Sequence, residues 1–247
     1  MDNDNNEKIS IITAVYNSDK FIEETIISVL GQTYSNWKWY IIDDCSTDET
    51  FNMISKFKDN RIEYIKLDNN VGAARARNVG LKHVKTKYVA FIDADDTWNK
   101  NKLETQLRFM KDNNYAFTFT SYQIIGKKKP VKIPDKLNYR EYMKNTIIGM
   151  LTVMIDCSQI NNLEFVDVKK DHDSMTWAKI LKKGVTAYGL NESLSQYRKV
   201  SGSISNNKFE AVKNHWNNCR QIEKLGKIET SYYFFFYMIN AIKKHFL

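Results

Sequence analysis

Nowhere in the 247 residues does an apolar run approach the roughly 20 needed to cross a bilayer, so the sequence predicts a soluble or peripheral chain. The start, MDNDNNEK, is polar and acidic where a secretory leader would be basic and then apolar, which argues against a signal peptide and predicts fraying over residues 1–7. Cysteine is scarce. Cys45, Cys157 and Cys219 are odd in number, widely spaced and in no metal-ligand pattern, which predicts reduced thiols in a cytoplasmic protein. With two prolines and nine glycines there is no Pro/Gly-rich linker, and neither a repeat nor a low-complexity segment divides the chain. Acidic residues are the minority, 29 against 37 Lys and Arg, and such an excess suits phosphate-bearing ligands, anionic membranes or nucleic acid. A solvated lysine-rich surface accounts for it equally well. The basic residues form no stripe with interleaved aromatics, so nucleic acid is not expected, and GKKKPVK at Gly126 to Lys132 reads as a solvated loop.

What is present is an alternation. KISIITAVY, WKWYIIDD, RIEYIKL and KYVAFID are apolar and rich in β-branched and aromatic residues, and read as strands. SDKFIEETIISVLGQT repeats Phe21, Ile22, Thr25, Ile26, Val29 and Leu30 at helical spacing, with Ser18 as expected N-cap and Gly31 as stop. STDETFNMISKF reads as a helix opened by a Ser46-x-x-Glu49 capping box, and AARARNVGLKHV and NKLETQLRFMKDN read as two more. Strands alternating with helices predict an α/β fold of βαβ units, a largely parallel sheet covered on both faces. Ligands of such sheets bind at the carboxyl ends of the strands. That edge gathers Thr13 to Asn17, Asp43 and Asp44, Asn69 to Gly72, and Asp93 to Asp96. After about Ser121 the alternation becomes irregular. LTVMID and AYGL read as short strands, DSMTWAKILKKG as a helix closed by Gly184, and LSQYRKVSGSIS as a strand and a polar loop, with two helical stretches from Lys208 onward.

In YVAFIDADDTW three carboxylates, Asp93, Asp95 and Asp96, crowd the end of an apolar strand. Charges so close raise one another's pKa unless a cation compensates. Alternate carboxylates after a strand can turn toward one cavity as hard ligands for Mg²⁺ or Mn²⁺, although an acidic solvated turn has the same appearance. Asp43 and Asp44 end WYII in the same way, placed to accept from a ribose hydroxyl or a base N–H. The other use of such charges, at the start of the next helix, is already served by Asp48 and Glu49. NNVGAARARN sets Asn70 and Gly72 before a helix start, a candidate anion-binding turn, with Arg75 and Arg77 able to fork onto phosphate or a base edge. It lacks the full G-x-G-x-x-G of a dinucleotide site. Two positions apart, the arginines cannot share one helix face.

Taken in order, SIITAVYN, ETIISVLGQTYSNWKWYIIDDCSTDET, NNVGAARARNVG and YVAFIDADD resemble the family 2 glycosyltransferases, which have the GT-A fold and use nucleotide-sugar donors. The resemblance is strong over about Lys8 to Asn113. It implies a Rossmann-like, mostly parallel central sheet, a nucleotide-sugar-binding half at 8–121, an acceptor-binding half at 122–206 and a helical extension at 207–247. It further implies that Thr13, Ala14, Val15 and Tyr16 line the nucleobase and that Asp44 binds base or ribose. Arg77, with Asn70 and Gly72 of the turn before it, would lie near the nucleotide. Asp93 would face ribose or metal, and Asp95 would ligate a Mn²⁺ or Mg²⁺ ion on the donor diphosphate.

DHDSMTW resembles the family's E-D pair before a helix, with Trp177 four residues after Asp173, and this makes Asp173 the catalytic base. His172 stands where the commoner pattern has Glu, so Asp171 competes for the same place, and either aspartate could instead cap the helix. GLNESLSQYRKVSGSIS resembles the family's strand and Y-R loop, part of which can close over the donor. It has no His of the kind that helps hold the metal in some relatives, so the ion would rest on Asp95, phosphates and water.

The implied reaction is inverting transfer of a hexose from a UDP-linked donor to a hydroxyl of a glycan or glycolipid acceptor. It belongs to bacterial surface polysaccharide or lipooligosaccharide synthesis, at the inner face of the cytoplasmic membrane or in the cytoplasm. Two other readings compete. In one, Asp93-x-Asp95-x-Thr97 is the nucleophile loop of a haloacid dehalogenase-like phosphatase, which leaves TAVYN and DDCSTDE unexplained. In the other, the chain binds a nucleotide sugar without transferring it, and Asp173 only caps a helix. The tail SYYFFFYMINAIKKHFL, ending near Lys243 and Lys244, could lie in a membrane interface, pack on the domain or form a dimer contact.

Overall fold

Strand β1 (Ile9–Val15) is buried along almost its whole length, which is why it reads as an unbroken apolar run. Ile9, Ile11 and Val15 enter one core and Ile12 enters the other, across the sheet. β1 pairs in parallel with β2 (Trp37–Asp43) and β4 (Tyr88–Phe91), and β2 with β3 (Ile62–Lys66). The connections carry helices α1 (Ile22–Leu30), α2 (Thr50–Ser55) and α3 (Ala73–His83). Register places Val15 beside Asp43 and Asp43 beside Lys66, so the strands end together along one edge. The structure, a computed structural model, describes residues 7–168, 170–200 and 208–246, without the side chains of 208–211 and 241–246. Of the N-terminal fraying expected over residues 1–7, the first six residues lie outside the described residues, as do the polar loop at 201–207 and the side chains of Lys243 and Lys244.

Beyond β4 follow β5 (Thr97–Trp98), α4 (Lys102–Asn113), β6 (Phe117–Ile124), β7 (Lys136–Leu137), α5 (Tyr139–Lys144) and β8 (Val153–Asp156). They lead to α6 (His172–Lys182), β9 (Ala187–Tyr197), α7 (Lys208–Gln221) and α8 (Lys227–Phe246). Among the described residues the strands form one sheet in the order β3-β2-β1-β4-β8-β6-β9-β5, with β7 on β9. The parallel part is the expected βαβ series together with the β6–β9 pair, while β8 runs antiparallel between β4 and β6. Helix α3 lies against β1 and β2. A Cβ on its Gly80 would sit 2.8 Å from Ile12 Cγ2, so glycine lets the helix that carries Arg77 settle this close to the sheet. The last two helices and the turn between them join the core of α5 and α6 through Cys219, Leu225 and Tyr233.

Three local expectations fail. The Ser46–Glu49 capping box is absent because the Ser46 hydroxyl accepts the Asn17 amide at 3.0 Å and the Glu49 carboxylate accepts the Asn52 side chain at 2.5 Å. Ser18 does not cap α1 through its side chain. Its hydroxyl donates to the Tyr16 carbonyl, and its own carbonyl receives the amides of Phe21 and Ile22 at 3.1 and 3.0 Å. AYGL and LSQY belong to one strand, β9; the polar Asn191–Ser193 between them falls where pairing with β6 jumps from Leu190 to Ser193. A bulge absorbs the polar residues without ending the strand.

Candidate active site

The edge at the strand ends is stitched loop to loop. Asn17, in the left-handed region at φ 49, accepts the Thr47 amide at 2.9 Å, and the Ser18 amide donates to Thr50 Oγ1 at 2.7 Å. Within the segment expected to line a base, strand alternation separates the side chains. Thr13 is turned into the sheet, where its hydroxyl accepts Trp39 Nε1 at 3.0 Å, and Val15 is buried in the core. Ala14 and the half-exposed Tyr16 are left to offer side chains to the edge.

Both aspartates that end β2 have structural partners. Asp43 is buried, accepting from the Ser46 amide at 2.8 Å and from the Tyr64 hydroxyl. The two oxygens of Asp44 take one amide each from the next turn, Val71 at 2.7 Å and Gly72 at 2.8 Å. Asp44 therefore fixes the loop that carries the exposed Asn70 and leads into α3. Gly72 has φ 89 and ψ 154, a conformation natural only to glycine.

The arginines of α3 part company, as their spacing requires. Arg75 turns outward and pairs with Asp167 at 2.6 Å beside a groove of about 720 Å³. Arg77 is buried, with one guanidinium nitrogen 2.5 Å from Asp93 Oδ1 and the other 2.6 Å from His172 Nε2. A guanidinium can only donate, so His172 Nε2 is an acceptor and the ring is neutral, with its proton on Nδ1. Burial, then the Arg77 charge, holds its pKa below the ordinary histidine value. Phe165 lies under this pair, its ring 5.7 Å from the guanidinium carbon, and Asn78 holds its backbone through two hydrogen bonds of 3.0 and 2.7 Å. Arg77 thus joins the Asp93 turn to the start of α6, where Asp173 is the second helical residue.

Neither aspartate caps α6 through its side chain. Asp171 occupies the capping position in the left-handed region and makes no capping bond; its carboxylate accepts Asn218 Nδ2 at 3.3 Å. Burial, then the neighbouring Asp173, pushes Asp171 up to about 6. Asp173 accepts the adjacent Ser174 amide at 2.8 Å, and among the described residues its partly exposed carboxylate is not spent in an ion pair.

At the turn after β4 the three carboxylates separate. Burial, then the charge of Asp93, raises Asp95 to about 6. Asp96 is wholly buried and raised well above the carboxylate range by burial, then Asp93 and Asp95; its Oδ1 accepts the Arg198 amide at 2.9 Å and Oδ2 has no partner among the described residues. Arg198 also donates to the Asp95 carbonyl at 3.0 Å and pairs with Glu24 at 2.5 Å, strapping the turn to α1. Its only signal in the sequence is the Y-R resemblance, and Phe165 has none. Among the described residues no group of three or more His, Cys, Asp or Glu side chains could hold a metal ion. Asp95, with Asp93 beside it, nevertheless fits an ion that takes its remaining ligands from water and phosphate, because a cation would relieve the burial and the repulsion from Asp93 that penalise the Asp95 charge.

The family model for glycosyl transferase family 2 matches residues 10–166. The chain is 44% identical over 243 residues, 96% of each chain, to TuaG of Bacillus subtilis (strain 168), a glycosyltransferase provisionally assigned to teichuronic acid biosynthesis. It is 37% identical, over 96% of its length and 94% of the relative's, to WfgD of Escherichia coli, a UDP-Glc:α-D-GlcNAc-diphosphoundecaprenol β-1,3-glucosyltransferase. Its fold matches that of Staphylococcus aureus TarS residues 1–349, solved with UDP-GlcNAc, at a TM-score of 0.73 and 19% identity, covering 96% of this chain and 73% of that one.

Proposed function

As a member of glycosyl transferase family 2 the chain is a sugar-transferring enzyme of the GT-A fold, and we propose that it moves a hexose from a UDP-linked donor to a hydroxyl of a lipid-linked glycan. Membership removes the phosphatase reading, in which Asp93 would be a nucleophile. The observation that carries the proposal is the Arg77 bridge, which ties the Asp93 turn to the turn of Asp173. The names of relatives that use UDP-Glc and a diphosphoundecaprenol-linked sugar support this choice of donor and acceptor class.

In this reading Ala14, Tyr16 and the backbone of Thr13 and Val15 face the base, with Asp44, Asn70 and Gly72 shaping the wall beside it. Asp93 meets the ribose, Arg77 steadies Asp93, and Asp95 is the carboxylate that would hold a Mn²⁺ or Mg²⁺ ion. Such an ion would neutralise charge growing on the leaving diphosphate. Asp173 takes the proton of the acceptor hydroxyl as its oxygen bonds to the anomeric carbon, and the bond from that carbon to the phosphate oxygen breaks with its electron pair leaving on UDP. One base and no enzyme nucleophile give a single displacement with inversion, so an α-linked donor yields a β-linked product. An acceptor of this kind places the enzyme at the membrane surface. Among the described residues no helix is long and apolar enough to cross a membrane, and the outer face of α8 is the element that would rest on lipid.

Asp173→Asn should keep metal-dependent UDP binding and lower transfer by about 10²- to 10⁴-fold. Asp95→Ala should instead weaken UDP binding itself. Isothermal titration with UDP, alongside transfer from UDP-glucose to a diphospholipid-linked sugar, reads both. Undiminished transfer by Asp173→Asn would remove the base assignment, and no transfer by the wild type, with UDP bound, would leave a binding protein.

A further inference from the structure

His172 is the one place in the site where the chain departs from the expected acidic pair, and the geometry gives the substitution a purpose. We propose that His172 is a positioning residue of the donor site: a neutral imidazole whose Nε2 holds one arm of Arg77 so that the other arm stays fixed on Asp93. The contacts are 2.6 Å to His172 and 2.5 Å to Asp93, and Arg77 is 5% exposed. A guanidinium can rotate between partners unless each fork is occupied. Here its Nε has no partner among the described residues, so the two terminal nitrogens set its orientation.

The chemistry of the partner matters. A carboxylate at position 172 would compete with Asp93 for the same cation and share its charge. A neutral acceptor fills the hydrogen-bonding site without drawing that charge away from the donor side. The ring is itself held, edge-on to Phe165 at 6.3 Å between centroids, and Phe165 is pinned by Asn78 on the same helix as Arg77. His172 therefore acts on Asp93 through Arg77, and it belongs to the donor half even though it adjoins the base in sequence.

This inference rests on the donor reading above, and one set of measurements separates the two. UDP, with Mn²⁺ present, is titrated into the wild type, His172→Phe, His172→Gln and Arg77→Gln, and into the double variant His172→Phe with Arg77→Gln. Donor and acceptor KM and kcat are then measured with UDP-glucose. His172→Phe keeps a ring against Phe165 but has no acceptor, and UDP binding should weaken about tenfold or more, whereas His172→Gln, which restores an acceptor oxygen, should stay within about threefold of wild type. Donor KM should rise with the Phe change while acceptor KM holds. In the Arg77→Gln background the Phe change should have no further effect, because the arm it positions is gone. Equal losses in His172→Phe and His172→Gln, a loss confined to kcat, or additive losses in the double variant would overturn the assignment. If His172→Phe does not fold, His172→Leu takes its place. A wild type that binds no UDP overturns the donor reading and this inference with it.

Discussion

Gly72 has a backbone that only glycine adopts without strain, at φ 89 and ψ 154, yet an added Cβ would find no atom within 4 Å. The cost of Gly72→Ala is therefore conformational and not steric, about 1–3 kcal/mol for a side chain forced into that region. The chain can escape by rotating the turn, and the turn is held by Asp44, which takes the amides of Val71 and Gly72. Gly72→Ala should thus loosen the wall beside the nucleotide, raising donor KM severalfold and lowering the urea midpoint. A variant with both values unchanged would mean that the turn adapts without strain. The placement of Asp44, Asp93 and Asp95 on the carboxyl edge of the sheet was legible in the sequence because they follow apolar strands, and the parting of Arg77 from Arg75 because two positions on a helix cannot share one face. Arg198 was not, because it meets Asp96 across 102 residues of chain and no local spacing encodes such a contact. Thr13 and Val15 were misjudged in side-chain direction: a four-residue segment was read as one surface, while a strand sends alternate residues to opposite faces.

Helix α8 is an element with two different faces. Thr230 and Tyr233 are buried against the domain, whereas Ile228, Tyr232 and Phe235 are 89%, 48% and 60% exposed, at positions i, i+4 and i+7 of one face. Lys144 lies 5.1 Å from the Tyr232 ring and 5.0 Å from that of Phe236, so a cation flanks the apolar stripe. Aromatic residues bordered by lysine suit the headgroup region of an anionic bilayer. Phe235→Glu should lower co-sedimentation with vesicles containing anionic lipid and leave transfer to a water-soluble acceptor unchanged. Wild-type protein that stays in the supernatant at low salt would leave the stripe without this role. Of the three uses its composition suggested, packing on the domain is what the buried face does. The sequence could not choose, because aromatic residues serve a core and a membrane interface equally well. For β9 the ambiguity was of another kind: Asn191–Ser193 looks like a break, and only its partner strand reveals a bulge.

The sheet separates two cores, and α7 and α8 close the one that also holds α5 and α6, on the side where Asp173 begins its helix. At the centre of that closure His215 is 3% exposed, stacked on Tyr237 with centroids 4.0 Å apart. Burial lowers its pKa from 6.5 to about 4. Above 6.5 the histidine is neutral in both folded and unfolded chains and its packing counts in full. As pH falls below that value the unfolded chain takes up the proton first, and stability is lost until the folded form also protonates near 4. At about pH 5 the loss amounts to about 2 kcal/mol. Asp171, raised to about 6, has the opposite sign over much of the same range, because there the folded chain binds the proton first. The wild-type curve alone therefore mixes the two. The difference between wild type and His215→Phe isolates one of them: Phe preserves a ring against Tyr237 and does not titrate. Urea midpoints taken near neutrality and again at about pH 5 should show the variant gaining on the wild type by about 2 kcal/mol as the medium is acidified. Parallel shifts in the two proteins would mean that water reaches His215 and that the C-terminal pair is not sealed against the domain.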